Sequence, residues 1–421
     1  MNNFFKIDER LLEISKSTME KIKPRFSQID EITCYNQEKM LSCFINNRVS
    51  ESHFAASTGY GYGDRGRETL EKVFADVVGA EDSLIRHNFV SGTHALTVAL
   101  FGLLRPKDTV VCLTGRPYDT LIGVLGIDGH VEGSLADFGV DYNQVELLET
   151  GEVDLNEIGN RMKQLKPKLA YIQRSRGYSL RPSLTVEKIA EIIRVVKAMS
   201  PQTIVMVDNC YGEFVQLCEP TEVGADLIAG SLIKNPGGGI APTGGYIAGR
   251  HDLVEKCAYR LTAPGVGREV GATLGQSREL FMGLFNAPHV TGEAVKTAVY
   301  AAALFEALGF KTTPLYNEPR ADIIQSIILG NETSLIAFCQ GMQKGAPVDS
   351  YVTPEPWDMP GYDAPVIMAA GAFTAGASIE LSADAPLREP YAAWLQGGIN
   401  FHSAAIGVLL AAQNMADKGF I

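Results

Sequence analysis

Ala225-Asp226-Leu227-Ile228-Ala229-Gly230-Ser231-Leu232-Ile233-Lys234-Asn235-Pro236-Gly237-Gly238-Gly239 decides the fold. A short apolar strand, Asp226 to Ala229, runs into Gly230 and Ser231. One lysine then stands in front of a run of glycines. Its neighbours Leu232 and Ile233 are apolar, and the nearest acid in sequence is Asp226. A lysine so placed is partly desolvated, which favours the neutral amine that can attack a carbonyl. A loop lysine snorkelling out of a turn has the same local sequence. Asp208, at the end of a different apolar strand, separates the two readings.

That strand is Thr203-Ile204-Val205-Met206-Val207-Asp208. Buried-type β residues ending in an acid put a carboxylate at the carboxyl edge of a parallel sheet, where open α/β folds bind ligands. Alone, Asp208 also suits a helix cap or a turn. Paired with Lys234 it matches the needs of pyridoxal 5'-phosphate. A lysine holds the aldehyde as a Schiff base, and an aspartate keeps the pyridine nitrogen protonated so that the ring is an electron sink.

Composition sets the bounds. The 421 residues are 46% hydrophobic and 20% charged, a globular chain with room for one large domain and a smaller one. A net charge of −12 and a pI near 5.2 argue against nucleic acid or an anionic membrane as partner. No run is apolar enough to span a bilayer. Met1 to Arg25 mixes acid, base and apolar residues at helical spacing, unlike a signal or transit peptide, so a cytoplasmic location is expected. Seven cysteines form no CxxC pair and no cluster with histidine; they read as reduced thiols, and no metal site is expected.

Residues 7–49 read as two helices. Ile7, Leu11, Leu12, Ile14, Met19 and Ile22 stripe the first, which stops near Pro24; the second covers Ile29 to Asn47. Thr58-Gly59-Tyr60-Gly61-Tyr62-Gly63-Asp64-Arg65-Gly66-Arg67 cannot build a core. It suits a loop lying against an anion or a ring, with Arg65 or Arg67 supplying donors, or a plain surface turn into a helix at Glu68 to Val78. Ser91-Gly92-Thr93 precedes a helix whose free first-turn amides would hold a phosphate, although the same residues cap ordinary helices. His94 reads as a packed first-turn residue. Tyr118 follows the strand Thr109 to Leu113, where its ring could stack on a heteroaromatic or pack under its own loop. Arg174 and Arg176 follow the strand Leu169 to Gln173, suiting an anion or solvent equally.

Strand–helix alternation from about 85 to 250, including the helix Thr185 to Met199, implies a mostly parallel sheet flanked by helices. Thr243 to Ala248 is the next strand, with helices at Asp252 to Leu261 and Thr291 to Leu308. Beyond Phe310 the character changes. Strand-like pieces (Ile323 to Leu329, Val366 to Met368, Ser378 to Leu381), a turn-rich link from Pro354 to Pro360 and a closing helix from Asn400 to Lys418 predict a second α+β unit. The expected division is an arm at 1–57, a large cofactor-binding α/β domain at 58–300 and a small domain at 301–421, with the site between the last two.

With Val207-Asp208-Asn209-Cys210-Tyr211-Gly212-Glu213-Phe214, Gly230 to Gly239, and Leu387-Arg388-Glu389-Pro390-Tyr391 in this order, the chain resembles the aspartate aminotransferase-like (fold type I) pyridoxal phosphate enzymes. Most closely it resembles the cystathionine beta-lyase and methionine gamma-lyase relatives called aluminium resistance proteins, over nearly its whole length. The resemblance implies that Lys234 is the Schiff-base lysine and proton shuttle, that Asp208 pairs with the ring nitrogen, and that Tyr118 stacks on the ring. It assigns the phosphate to Ser91, Gly92, Thr93 and Ser231. It also makes Tyr60, Tyr62 and Arg65 a loop lent to the partner subunit's phosphate, so a homodimer or homotetramer is expected, with sites at a symmetric interface. Arg388 is the candidate for the substrate's α-carboxylate. The expected activity is carbon–sulfur lysis of an amino acid by β- or γ-elimination through an external aldimine. Transamination, racemisation, or cofactor binding with little turnover are the alternatives the scaffold allows. Nothing in these residues makes a site for a trivalent ion.

Overall fold

Seven short segments, most of them apolar runs of four or five residues, become the strands of a central sheet in the computed structural model, which describes residues 4–129, 131–359 and 364–421. They are β1 (Asp82–Arg86), β2 (Thr109–Cys112), β3 (Asp141–Gln144), β4 (Leu169–Gln173), β5 (Ile204–Asp208), β6 (Leu227–Ser231) and β7 (Gly245–Gly249). The 7-stranded sheet has the order β1-β7-β6-β5-β4-β2-β3. Only β7 is reversed, antiparallel to both β1 and β6. β4, β5 and β6 are buried along their whole length, as their unbroken apolar sequences require of strands covered on both faces.

Helices cover the sheet: α1 (Glu9–Asn46), α2 (Arg65–Val77), α3 (Gly92–Leu103), α4 (Asp119–Leu125), α5 (Leu155–Leu165), α6 (Val186–Met199), α7 (His251–Leu261) and α8 (Ser277–Ala307). The register Gln173↔Asp208↔Ala229 lines up the ends of β4, β5 and β6, so the segments leaving these strands meet at one edge. α3 also starts at that edge, with Ser91 as its N-cap.

The amino-terminal arm departs from expectation. It is one helix of 38 residues with Pro24 inside it, where two helices split at Pro24 were expected. An internal proline costs roughly 3 kcal/mol of helix stability. Pro24 lies on the exposed side, while Leu11, Thr18, Ile22, Ile29, Asn36, Met40 and Cys43 form a buried stripe along the whole length. Packing along α8 outweighs the proline. The Lys296–Asp30 ion pair (2.6 Å) and the Ser15–Tyr300 hydroxyl contact (2.7 Å) tie the two helices. α8 likewise starts well before Thr291 and carries Pro288 within it.

A second, 5-stranded sheet is antiparallel throughout, with the order β10-β11-β12-β9-β8. Its strands are β8 (Lys311–Thr313), β9 (Gln325–Ile328), β10 (Val366–Ala369), β11 (Ser382–Pro386) and β12 (Ala392–Gln396), packed with α9 (Glu332–Lys344) and α10 (Phe401–Asp417). α8 runs through the expected 300/301 division and packs into this second core. The strand expected at Ser378 to Leu381 is a buried loop instead. Glu380 draws it in by accepting bonds from the amides of Phe373 (2.9 Å) and Thr374 (2.8 Å). The strand itself is the small-residue run Ser382–Pro386. Pro360, the last residue of the turn-rich link, lies outside the described residues.

Candidate functional site

A cavity of about 370 Å³ opens at the carboxyl edge of the first sheet, and the second sheet closes it. Ser91, Gly92, Thr93, Tyr118, Asp208, Ser231 and Lys234, all singled out from sequence, line it together.

β5 delivers Asp208, which is buried and held on both oxygens. Tyr171 Oη donates to Oδ2 (3.1 Å) and the Cys210 amide to Oδ1 (3.1 Å). The turn beyond it is strained: Tyr211 has φ +69° and Phe214 φ +63°. A buried network fixes it. Glu219 accepts from the Phe214 amide (2.8 Å), Asn209 Nδ2 (2.9 Å) and Arg174 Nη1 (3.3 Å), and Arg174 Nη1 also reaches Asn209 Oδ1 (2.7 Å). Arg174 is therefore an internal brace. Gly212 is required here, because a Cβ would sit 2.4 Å from Arg174 Cδ.

The strained turn carries Tyr211 beneath Lys234, with Nζ 4.0 Å from the ring centroid. The neutral amine expected from sequence is not what the pocket favours. Burial works against the ammonium, but Cys210, Tyr211, Asp208 and Glu213 outweigh it, and the lysine is held above its ordinary range. The carboxylates come from β5 and its turn, so Lys234's own flanking residues gave no sign of them. Glu213 lies fully buried, accepts from Tyr246 Oη (2.6 Å), and is pushed up to about 8 by burial against that hydrogen bond.

α3 approaches β6 so closely that a Cβ at Gly92 would lie 3.2 Å from Ser231 Cβ. Ser91 Oγ caps the helix by accepting from the His94 amide (3.0 Å), and Thr93 Oγ1 meets Thr120 Oγ1 (2.8 Å). Amides and hydroxyls thus converge at the positive end of a twelve-residue helix. His94 packs edge-on against Phe89 and accepts from the Val90 amide (3.1 Å), which is a structural use. Gln173 Oε1 anchors Tyr118 through its amide (2.7 Å).

The second sheet adds residues that the sequence reading missed: Asp384, Trp394 and Gln396, with Tyr178 from the loop after β4. Asp384 accepts from Tyr178 Oη (2.8 Å); burial, opposed by that bond and by Lys234, pushes its carboxyl up to about 6. Gln396 Nε2 is buried and has no hydrogen-bond partner among the described residues. A backbone bond ties the loop before β11 to the segment after β6, since the Ile379 amide donates to Ile233 O (3.0 Å), next to Lys234.

The other expected residues lie elsewhere. Tyr60 and Tyr62 are 71% and 69% exposed, stacked on each other at 5.4 Å, and Arg65 is exposed at the start of α2. Arg67 holds their loop by donating to Gly61 O (2.7 Å) and Gly271 O (2.8 Å). Arg388 is exposed and faces an adjoining cavity that shares Tyr118, Gln173, Gly177 and Tyr178 as a wall.

A strand-end carboxylate, a lysine after the next strand and a helix amino terminus at one edge of this sheet define the fold type I scaffold of pyridoxal phosphate enzymes. A family model for methionine gamma-lyase matches residues 11–416, and the chain belongs to that family of enzymes. An uncharacterized protein of Bacillus subtilis, YnbB, is 48% identical over 395 residues, covering 94% of each chain. The crystal structure of a carbon-sulfur lyase involved in aluminum resistance from Clostridium novyi NT is 51% identical, with a TM-score of 0.94 over 97% of this chain and 96% of that one. Cystathionine gamma synthase from Xanthomonas oryzae shares the fold alone: 15% identity and a TM-score of 0.59, covering 86% of this chain and 92% of that one.

Proposed function

We propose that this chain is a pyridoxal phosphate-dependent carbon–sulfur lyase acting on an amino acid by β- or γ-elimination. The observation that carries the reading is Lys234 in one cavity with Asp208 and the α3 amino terminus. The donor chemistry of the cavity supports the cofactor apart from the family. Gly92 lets the amino terminus of α3 approach Ser231 closely, and the amides and hydroxyls gathered there suit a phosphate. Lys234 would hold the aldehyde carbon, Asp208 the ring nitrogen, Tyr118 one ring face, and Ser91, Gly92, Thr93 and Ser231 the phosphate. The cofactor, when bound, supplies an electron sink for the bond-breaking step.

The chain's own groups do the rest. Lys234 Nζ, 4.0 Å from the Tyr211 ring centroid, would in its neutral form take and return a proton at the substrate's α-carbon. The Asp208 carboxylate keeps its orientation because Tyr171 and the Cys210 amide hold both oxygens. Tyr118, Tyr178 and Trp394 wall the cavity with aromatic rings. Gln396 offers a buried donor for the substrate carboxylate inside the cavity; Arg388 would serve a carboxylate reaching the adjoining one. Tyr60, Tyr62 and Arg65, exposed and braced by Arg67, are suited to complete the phosphate site of a second copy.

The test is to incubate the cofactor-loaded protein with L-cystathionine, L-methionine or L-cysteine. A 2-oxo acid and ammonia should form with no added keto-acid acceptor. Product formation that depends on an acceptor would replace the reading with transamination.

A further inference from the structure

The cavity carries few charged groups. Among the described residues lining it, the charged groups are Lys234, Asp208 and Asp384, and there is no arginine. On the function proposed above, Lys234 and Asp208 are committed to the cofactor. Asp384 is then an acid left facing the substrate.

Its surroundings are built. Asp384 sits directly across from Trp394 in the antiparallel β11–β12 register, so both side chains leave the same face of the sheet. The Trp394 and Tyr178 rings meet edge-on at 5.6 Å, and Tyr178 lies 6.0 Å from Tyr118. Tyr178 Oη donates to Asp384 Oδ2 (2.8 Å), and Trp394 Nε1 points away to Ser179 O (3.4 Å). Asp384 and Trp394 are 3% and 4% exposed. Aromatic rings beside a desolvated carboxylate are the arrangement that binds a soft cation, by ring quadrupole and by charge.

We infer that Asp384, Tyr178 and Trp394 form a specificity pocket for a positive charge on the substrate's side chain, so that the preferred substrates are amino acids bearing a side-chain ammonium or sulfonium group. A sulfonium is compatible with carbon–sulfur lysis, because the sulfur carrying the charge is the atom that leaves. A distal carboxylate would meet Asp384 as a like charge.

The inference rests on the function proposed above, and the experiment separates the two. The protein is loaded with pyridoxal phosphate, and loading is scored first by borohydride trapping on Lys234. Absence of trapping would overturn the cofactor reading and this inference with it. Binding of L-lysine, L-norleucine and L-2-aminoadipate, which differ at the distal charge and lack a carbon–sulfur bond, is then measured by calorimetry. The expected order is lysine about tenfold tighter than norleucine, with aminoadipate weakest. Asp384→Asn, checked for folding by its melting curve, should bring lysine and norleucine within about twofold. Equal wild-type affinities, or tighter binding of aminoadipate, would overturn the inference on the unmodified protein alone. A lysine preference that survives Asp384→Asn would overturn it as well.

Discussion

Gly92 separates α3 from β6 by less than a side chain, and that spacing makes a prediction. Gly92→Ala places a methyl 3.2 Å from Ser231 Cβ, tighter than ordinary contact, and should push the helix amides off the proposed phosphate position. Affinity for pyridoxal phosphate should fall about tenfold, roughly 1.4 kcal/mol. Affinity for pyridoxal, which lacks the phosphate, should change little; an equal loss for both would show a general distortion. Glu213 gives a second test. Its folded pKa, about 8, is raised by burial despite the Tyr246 bond. The folded state therefore holds a proton that the unfolded chain has released. Glu213's contribution to stability should be greatest below the ordinary carboxylate range and fall as pH rises toward 8, by up to about 1.4 kcal/mol per pH unit. Glu213→Gln should flatten that slope in melting curves taken from pH 5 to 8. At this scale Lys234 and Asp208 were legible, because each sits where an apolar run ends. Asp384, Trp394 and Gln396 were not. Ser382–Pro386 is a run of small residues without strand-like patterning, and its pocket-facing role depends on pairing with β12.

The turn between β5 and the buried Glu219 is the element on which the site depends. Tyr211 and Phe214 hold left-handed backbone, which costs of order 1–3 kcal/mol each, and Arg174, Asn209 and Glu219 keep them there. Glu219→Ala removes one partner of a buried ion pair and should destabilise the protein by about 3–5 kcal/mol, read as a lowered melting temperature. A loss below about 1 kcal/mol, the range of an exposed pair, would contradict this account of the brace. The strands β2, β4, β5 and β6 were legible because continuous apolar sequence admits few alternatives, whereas β1 and β3, which are half polar, were not. The arm was misread because Pro24 is a local stop signal, whereas the stripe from Leu11 to Cys43 is completed by α8, far away in sequence.

The whole molecule is two sheets with a cavity between them, joined by α8 and by the Ile379–Ile233 backbone bond. The exposed Tyr60–Tyr62 stack and Arg65 have no role inside this cavity. The proposal that they complete the site of a second copy predicts complementation. Lys234→Ala and Arg65→Ala chains, each inactive or weak, should recover activity when refolded together, because a mixed assembly contains one intact site. No recovery from an assembly shown to be mixed would place the loop outside the active site. The first sheet was legible as a parallel α/β core from its apolar runs; the second was less so, because its strands are short and their partners distant.

The most direct test of the central claim is chemical. Protein mixed with pyridoxal phosphate is reduced with borohydride, digested and mapped by mass spectrometry. A pyridoxyl label is expected on Lys234, and none in Lys234→Ala. A label on another lysine of the folded protein, or no label at all, would contradict it.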